Sequence, residues 1–202
     1  MTTDPPPRRI GAEDSKTRRQ LLDAAEHLLL DEGYASVTSR RVAAQAGLKP
    51  QLVHYYFRTM DDLFLGVFRR RADANFARFD RSVVADLSLR DLWDLNADPR
   101  GASFMMEFVA LANHRKAIRA EIAGYAERWR ATQLEALTRA LTAAGIDADR
   151  LPPEAALLLM TGLAQVLAIE QALGITGGHD ATVAFVEQAI GRLGAPSTSA
   201  RP

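Results

Sequence analysis

Three observations on the 202-residue chain predict an all-α fold. There is no Asn-Gly or Asp-Gly hairpin signal and no run of alternating β-branched residues. Apolar residues recur at spacings of three and four, the period of one helix face. The interruptions are helix punctuation: Gly33 and Gly47 close apolar stripes, Thr38 precedes a charged run, and Pro50 opens a new segment.

Taken in order, residues 1–13 hold three consecutive prolines among charges and are expected to form a disordered leader. A first helix over about 16–32 carries Leu21, Leu22, Ala25, Leu28 and Leu29 on one stripe, with Gly33 as its stop. Thr38 caps a second helix, "SRRVAAQA", whose Ala43, Ala44 and Ala46 permit close approach; Gly47 then permits a left-handed turn. A third, eight-residue helix begins at Pro50 and ends at Phe57. Beyond Asp61 the helical segments lengthen: 61–79, then a break at 94–101, then 102–114 and 116–144. The linker "GIDADRLPP" separates these from 154–174, and "GITGGHD" leads into 181–193. Residues 195–202 are expected to be a disordered tail. The organisation expected is a three-helix helix-turn-helix domain over 14–60 and a C-terminal helical bundle over 61–194 for ligand sensing and dimerisation.

Composition narrows the chemistry. Lys+Arg and Asp+Glu both number 25, yet the first 71 residues hold 12 basic and 9 acidic side chains against 13 and 16 in the rest, so the positive excess lies at the front. The absence of cysteine removes disulfides, thiolate zinc sites and thiol nucleophiles together. His27, His54, His114 and His179 show no metal-ligand spacing, and no nucleophile elbow is present. Neither an enzyme nor a cofactor or metal is expected. The start of the chain has no apolar signal region. The longest uncharged run, 155–169, is broken by Thr161, Gly162 and Gln165 and falls short of the ~20 apolar residues of a membrane span. A cytoplasmic protein with no membrane partner is expected.

The stretch "GLKPQLVHYYF" holds the densest chemistry. At 100° per residue Pro50, Val53 and Phe57 fall on one side, where they can pack on the first helix. Gln51, Leu52 and Tyr55 point the other way, with His54 and Tyr56 at the two margins. A short helix, a glycine turn and a second helix with a polar outer face make a helix-turn-helix. The second helix of such a unit enters the major groove while the first crosses the backbone, where Thr38, Ser39 and Arg40 can meet phosphates. In the groove, glutamine prefers adenine and leucine can meet a thymine methyl.

The segment "TRRQLLDAAEHLLLDEGYASVTSRRVAAQAGLKPQLVHYYFRTMDDLF" resembles the TetR family of bacterial one-component transcriptional regulators. Paired alanines, Gly-Tyr, a helix-opening Thr, an Ala-Gly turn, an aromatic-rich recognition helix ending in Phe and an Asp-Asp-Leu start to the next helix agree in order and spacing. The resemblance implies DNA contacts at Thr38, Ser39, Arg40, Lys49, Pro50, Gln51, Leu52, His54, Tyr55, Tyr56 and Arg58. Two positions depart from the family pattern. His54 and Tyr56 exchange the usual order of the two rings, and Met60 stands where a phosphate-contacting lysine is common, a role Arg58 or Lys49 could take over.

The resemblance also implies an effector pocket in the bundle for a small apolar or amphipathic molecule. Phe104, Met105, Phe108, Leu111, Tyr125 and Trp129 are suited to its wall and Gln165 to orienting the ligand, although such residues also make ordinary core. The segment 154–174 is apolar nearly all round and needs cover on every side. Leu158, Leu159, Leu163 and Val166, with Val183, Val186 and Ile190 of the last helix, are therefore expected at a homodimer interface. The function expected is a homodimeric repressor that binds a palindromic operator in double-stranded DNA and is released by its effector, though the residues themselves leave repression or activation open. A helical small-molecule-binding protein without operator binding is the main rival, favoured by Met60 and zero net charge; an enzyme built on a helical bundle is a weaker one.

Overall fold

The computed structural model describes residues 15–83 and 87–194. Their order is α1 (Lys16–Glu32), a 3₁₀ turn (Tyr34–Ser36), α2 (Ser39–Gln45), α3 (Pro50–Tyr56), α4 (Met60–Val83), α5 (Leu89–Asn96), α6 (Pro99–Ala112), α7 (Lys116–Ala143), α8 (Pro153–Ala172) and α9 (His179–Gly194). No strand occurs among the described residues, as the sequence predicts. The leader 1–13 and the tail 195–202 lie outside the described residues.

The described residues group into two compact units. One holds those up to Ala74 together with Met106–Ile122; the other holds Asn75–Met105 together with those from Ala123 onward. The unit that contains the helix-turn-helix is thus larger than the segment 14–60, because part of α4, the end of α6 and the start of α7 pack with it.

In the first unit, α1 opens with the Ser15 hydroxyl accepting a hydrogen bond from the Arg18 amide at 3.2 Å. It buries Leu21, Leu22, Ala24, Ala25, Leu28 and Leu29. Gly33 ends it at φ 80°, ψ 165°, a conformation open essentially to glycine alone. Thr38 caps α2, its hydroxyl accepting from the Arg41 amide at 3.3 Å, and Val42 and Ala43 are wholly buried. The helix closes with two hydrogen bonds that require a left-handed residue: Leu48 donates to the Ala43 carbonyl at 2.8 Å and Gly47, at φ 66°, donates to that of Ala44 at 3.1 Å. A side chain at Gly47 would meet nothing, so the constraint there is conformation and not space.

The opposite holds at Gly66 on α4. A Cβ there would stand 3.0 Å from Leu22 Cδ2 of α1 and 3.3 Å from Phe57 Cε1, so the missing side chain is what lets α4 close on both. Ion pairs reinforce that approach: Arg70 meets Asp23 and Glu26 at 2.5 Å each, and Arg71 meets Glu26 at 3.0 Å.

The second unit centres on Phe79, Leu92, Ala136, Leu137, Leu141 and Leu157. Its helix α5, which packs against α8 and α9, begins in a stretch that the sequence reading passed over and runs into the segment 94–101 that it read as a break. The signal was present as Ser88-x-x-Asp91, a reciprocal capping box: the Ser88 hydroxyl accepts from the Asp91 amide at 3.2 Å and the Asp91 carboxylate accepts from the Ser88 amide at 2.8 Å. Helix α6 likewise starts at Pro99, inside the segment read as a break. By length and composition α8 is long and apolar enough to cross a membrane, whereas the sequence reading placed it short. The difference lies in the window: averaged over a whole helix, Thr161, Gly162 and Gln165 dilute the apolar signal without removing it.

Two outcomes follow. Gly66→Val forces Leu22 and Phe57 apart and is expected to cost roughly 1–3 kcal/mol in urea unfolding; an unchanged midpoint would contradict the close approach. Hydrogen bonds from Ser88, the hydroxyl first and then the backbone, hold the Asp91 carboxyl below its ordinary value. A depressed folded-state value means that this contribution is complete above about pH 4 and is lost as the pH falls through the folded value. Ser88→Ala is expected to cost about 1 kcal/mol at neutral pH and to show a smaller acid loss than the parent.

Candidate nucleic-acid interface

The outward face of α3 is fixed by what the helix buries. Val53 and Phe57 are 1% and 3% exposed, so the helix is anchored through its fourth residue and through the residue that ends it. Phe57 lies beside Leu22 and Gly66, and the Arg18 guanidinium sits 5.2 Å above its ring. The helix has seven residues, not eight: Phe57 is its extended cap, donating to the Val53 carbonyl at 2.8 Å.

With that anchor in place, Gln51, His54 and Tyr55 are exposed and Leu52 and Tyr56 half-buried. Tyr55 and Tyr56 meet edge to face at 5.0 Å, a favourable arrangement for two aromatic rings. One inward assignment is corrected. Pro50 is exposed, because a residue at the first helical position stands at the rim where the chain enters and not over the core.

The cations divide into paired and unpaired groups. Arg41 is held by both carboxylate oxygens of Glu32, at 2.6 and 2.7 Å. Arg40, Lys49 and Arg58 are exposed, and no ion pair or hydrogen bond among the described residues engages their side chains. Thr38 and half-buried Ser39 complete the start of α2 beside Arg40. At the start of α4, the Thr59 hydroxyl accepts from the Asp62 amide at 3.1 Å and the Asp62 carboxylate accepts from the Thr59 amide at 3.0 Å, so this helix end is already capped. Half-buried Met60 adds no charge there. Alongside the end of α3 runs a cleft of about 720 Å³, in which Arg18, Arg19, Arg58, Arg69 and Arg70 face Asp62 and Asp73. The surface around α3 is therefore hydrogen-bonding in the middle and positive at its margins, which suits base edges flanked by phosphates.

The residues expected to line an effector pocket fall into both units. Phe108 packs on Phe64 and Phe68 in the first unit, with ring centroids 6.4 and 5.0 Å apart, and Leu111 is buried there. In the second, Tyr125 and Trp129 stack at 6.1 Å, Phe104 is buried and Met105 half-buried. Gln165 is exposed on α8. Sequence reasoning missed the partners of the stacked pair. Phe76 stands 5.5 Å from both rings and Phe79 5.3 Å from Trp129, while the Asn75 amide donates to the Tyr125 hydroxyl at 3.1 Å. The spacing of Phe76 and Phe79, three apart on one helix, carried that signal. Also missed was Gln133, the only buried polar residue among those described, whose amide donates to Asn96 Oδ1 at 3.3 Å.

On the surfaces expected to dimerise, Leu158, Leu159 and Val166 are exposed, Leu159 by 70%, while Leu163, Val183, Val186 and Ile190 are half-buried. Leu173 and Phe185, each 69% exposed, were not foreseen and extend the apolar surface of this unit.

Residues 21–67 match the family described as bacterial regulatory proteins, tetR family. The chain is 29% identical over 160 residues to the HTH-type transcriptional regulator BetI of Rhizobium meliloti, a match covering 75% of this chain and 77% of that protein. Among solved structures, a transcriptional regulator from Saccharomonospora viridis in complex with choline has a TM-score of 0.71 at 21% identity, covering 81% of this chain and 89% of that one. A TetR-family regulator from Rhodococcus sp. has a TM-score of 0.69 at 21% identity, covering 90% and 100%. The matched segment contains α2, α3 and the anchor residues Val53 and Phe57, and the all-helical fold agrees over most of the length. Over residues 21–67 the chain is similar to the tetR family of bacterial regulatory proteins, and it shares the all-helical fold of a TetR-family regulator.

Proposed function

We propose that the chain is a cytoplasmic, homodimeric repressor that reads a palindromic operator through two copies of α3 and leaves it when a small amphipathic effector binds. The observation that carries the DNA reading is the division of α3: Val53 and Phe57 are buried, while Gln51, His54 and Tyr55 face outward with Arg40, Lys49 and Arg58 around them. On this reading Gln51, Leu52 and Tyr55 meet base edges and sugars, Thr38, Ser39, Arg40, Lys49 and Arg58 meet phosphates, and Pro50, His54 and Tyr56 close the margins. Met60 supplies no cation, so Arg58 and Lys49 carry the phosphate contacts at that end.

The dimer is supported by the surface of the second unit. Leu158, Leu159, Val166, Leu173 and Phe185 leave large apolar groups in water, and a two-fold mate would cover them as a helix-on-helix interface. One seven-residue helix spans only a few base pairs, whereas two related by a two-fold axis read half-sites one helical turn or a multiple of it apart.

For the effector, the aromatic group of Phe76, Phe79, Tyr125 and Trp129 supports an amphipathic molecule with a cationic head. Ring faces attract organic cations, quaternary ammonium above all, and the Arg128 guanidinium lies 5.8 Å over Phe76. Choline in the Saccharomonospora viridis regulator is of that chemical kind. Release works by population shift: a ligand that favours an arrangement with wrongly spaced α3 helices weakens DNA binding, and DNA weakens ligand binding by the same factor.

A salt titration of duplex binding tests the DNA reading. Affinity is expected to fall steeply with salt; a flat response would favour a helical ligand-binding protein instead. Arg40→Ala is expected to weaken all duplexes alike and to reduce the slope by about 0.9. Gln51→Ala is expected to leave the slope unchanged and to lose roughly 1–3 kcal/mol of discrimination at one base position. Leu159→Glu is expected to yield monomers by sedimentation and to weaken operator binding at least about tenfold; a dimeric variant would place the interface elsewhere.

A further inference from the structure

The α2–turn–α3 segment is flanked by two short connections, and both are held by the same stretch of chain. Before it, the 3₁₀ turn that follows Gly33 leaves the Tyr34 amide at a helix start, where no carbonyl of its own turn can accept from it. The other polar groups of the turn are settled locally. The Ser36 hydroxyl donates to the Gly33 carbonyl at 2.7 Å and to the Leu28 carbonyl at 3.2 Å, and the Ser36 and Val37 amides donate to the carbonyls of Gly33 and Tyr34, each at 3.1 Å. The Tyr34 amide instead donates to Glu107 Oε2 of α6 at 2.7 Å, a contact across 73 residues of sequence. Gly33 lies directly beneath that carboxylate, since a Cβ on it would stand 3.5 Å from Oε2.

After the segment, Asp61 in the first turn of α4 pairs with Arg115, just beyond α6, and the same guanidinium lies 5.6 Å over the Phe64 ring. Between these two pins Phe108 packs on Phe64 and Phe68. All of these residues belong to the first compact unit.

We propose that Glu107 and Arg115 are positioning residues for operator recognition: without touching DNA, they pin the chain four residues before the Thr38 cap and five residues after the end of α3. The proposal rests on the DNA-binding reading above. A charged acceptor at 2.7 Å is among the stronger kinds of hydrogen bond, and without it the amide of a half-buried turn loses its acceptor. The turn that sets the direction of α2, and through Gly47 that of α3, then has one restraint fewer.

The experiment compares Glu107→Ala, Glu107→Gln and Arg115→Ala with the parent. Glutamine keeps an acceptor oxygen at the same reach, so it separates loss of the hydrogen bond from loss of the helix surface. The first readout needs no DNA: in Glu107→Ala, amide exchange over 34–45 is expected to quicken about tenfold, with Glu107→Gln near the parent and the stretch 125–141 unchanged. Parent-like exchange over 34–45, or equal quickening in both units, would overturn the proposal. The second uses a duplex that the parent protein selects from a random pool and a scrambled duplex of equal length. Glu107→Ala and Arg115→Ala are expected to lose about tenfold on the selected duplex and less than about twofold on the scrambled one, with Glu107→Gln restored. Equal loss on both duplexes, or none, would overturn it. A parent protein that selects no duplex would refute the DNA-binding reading, while the exchange readout still decides whether these contacts pin the segment.

Discussion

The arrangement depends on where the Phe57 ring goes. Phe57 is 3% exposed and sits beside Leu22 of α1 and Gly66 of α4 with the Arg18 guanidinium above it, so one ring ties the end of α3 to α1 and α4. A seven-residue helix has too few internal hydrogen bonds to persist alone. Its direction is set by its anchors, and with Val53 and Phe57 inside, Gln51, His54 and Tyr55 have nowhere to go but outward. Gly66 is part of the same constraint, because a side chain there would occupy the space that Phe57 and Leu22 fill.

The apolar core of this small unit is supplemented by polar contacts that are long in range. Arg70 and Arg71 hold α4 to α1 through Asp23 and Glu26, Arg69 meets Glu121 at 2.8 Å, and Arg115 and Glu107 reach the start of α4 and the turn before α2. Exposed ion pairs contribute little stability individually. Their effect is geometric: each adds a directional contact between helices that otherwise meet through apolar faces. The second unit is built differently, around an aliphatic and aromatic core with the single buried Gln133 satisfied by Asn96, and it leaves its largest apolar surface in solvent on α8 and α9.

Much of the first unit was legible in the sequence because its signals are local. The bounds of α1, its stop at Gly33, the Thr38 cap and the left-handed Gly47 all follow from residue type and spacing, as does the outward trio of α3 apart from the half-burial of Leu52. Pro50 was misplaced because helical angle alone ignores position along the axis, and a residue in the first turn can point inward and still find no core beneath it. Helix α5 was passed over because eight residues carry too little periodicity, although the Ser88 and Asp91 box marked its start. The Glu107 contact with Tyr34 could not have been read at all: it joins a carboxylate to a backbone amide, and backbone amides have no sequence signature. The partners of Tyr125 and Trp129 lay about fifty residues away along the chain: the spacing of Phe76 and Phe79 marked a shared helix face, but no local pattern says which rings that face meets.

The most direct measurement is side-chain oxidation footprinting of the protein with and without a tightly bound duplex. If α3 is the reading element, Tyr55 and Leu52 are oxidised readily in the free protein and protected several-fold on the duplex, while Phe57 stays protected in both states and Tyr34 is unchanged. A duplex that binds tightly yet leaves Tyr55 as reactive as before, or a Phe57 that is already open to oxidation in the free protein, would contradict the account.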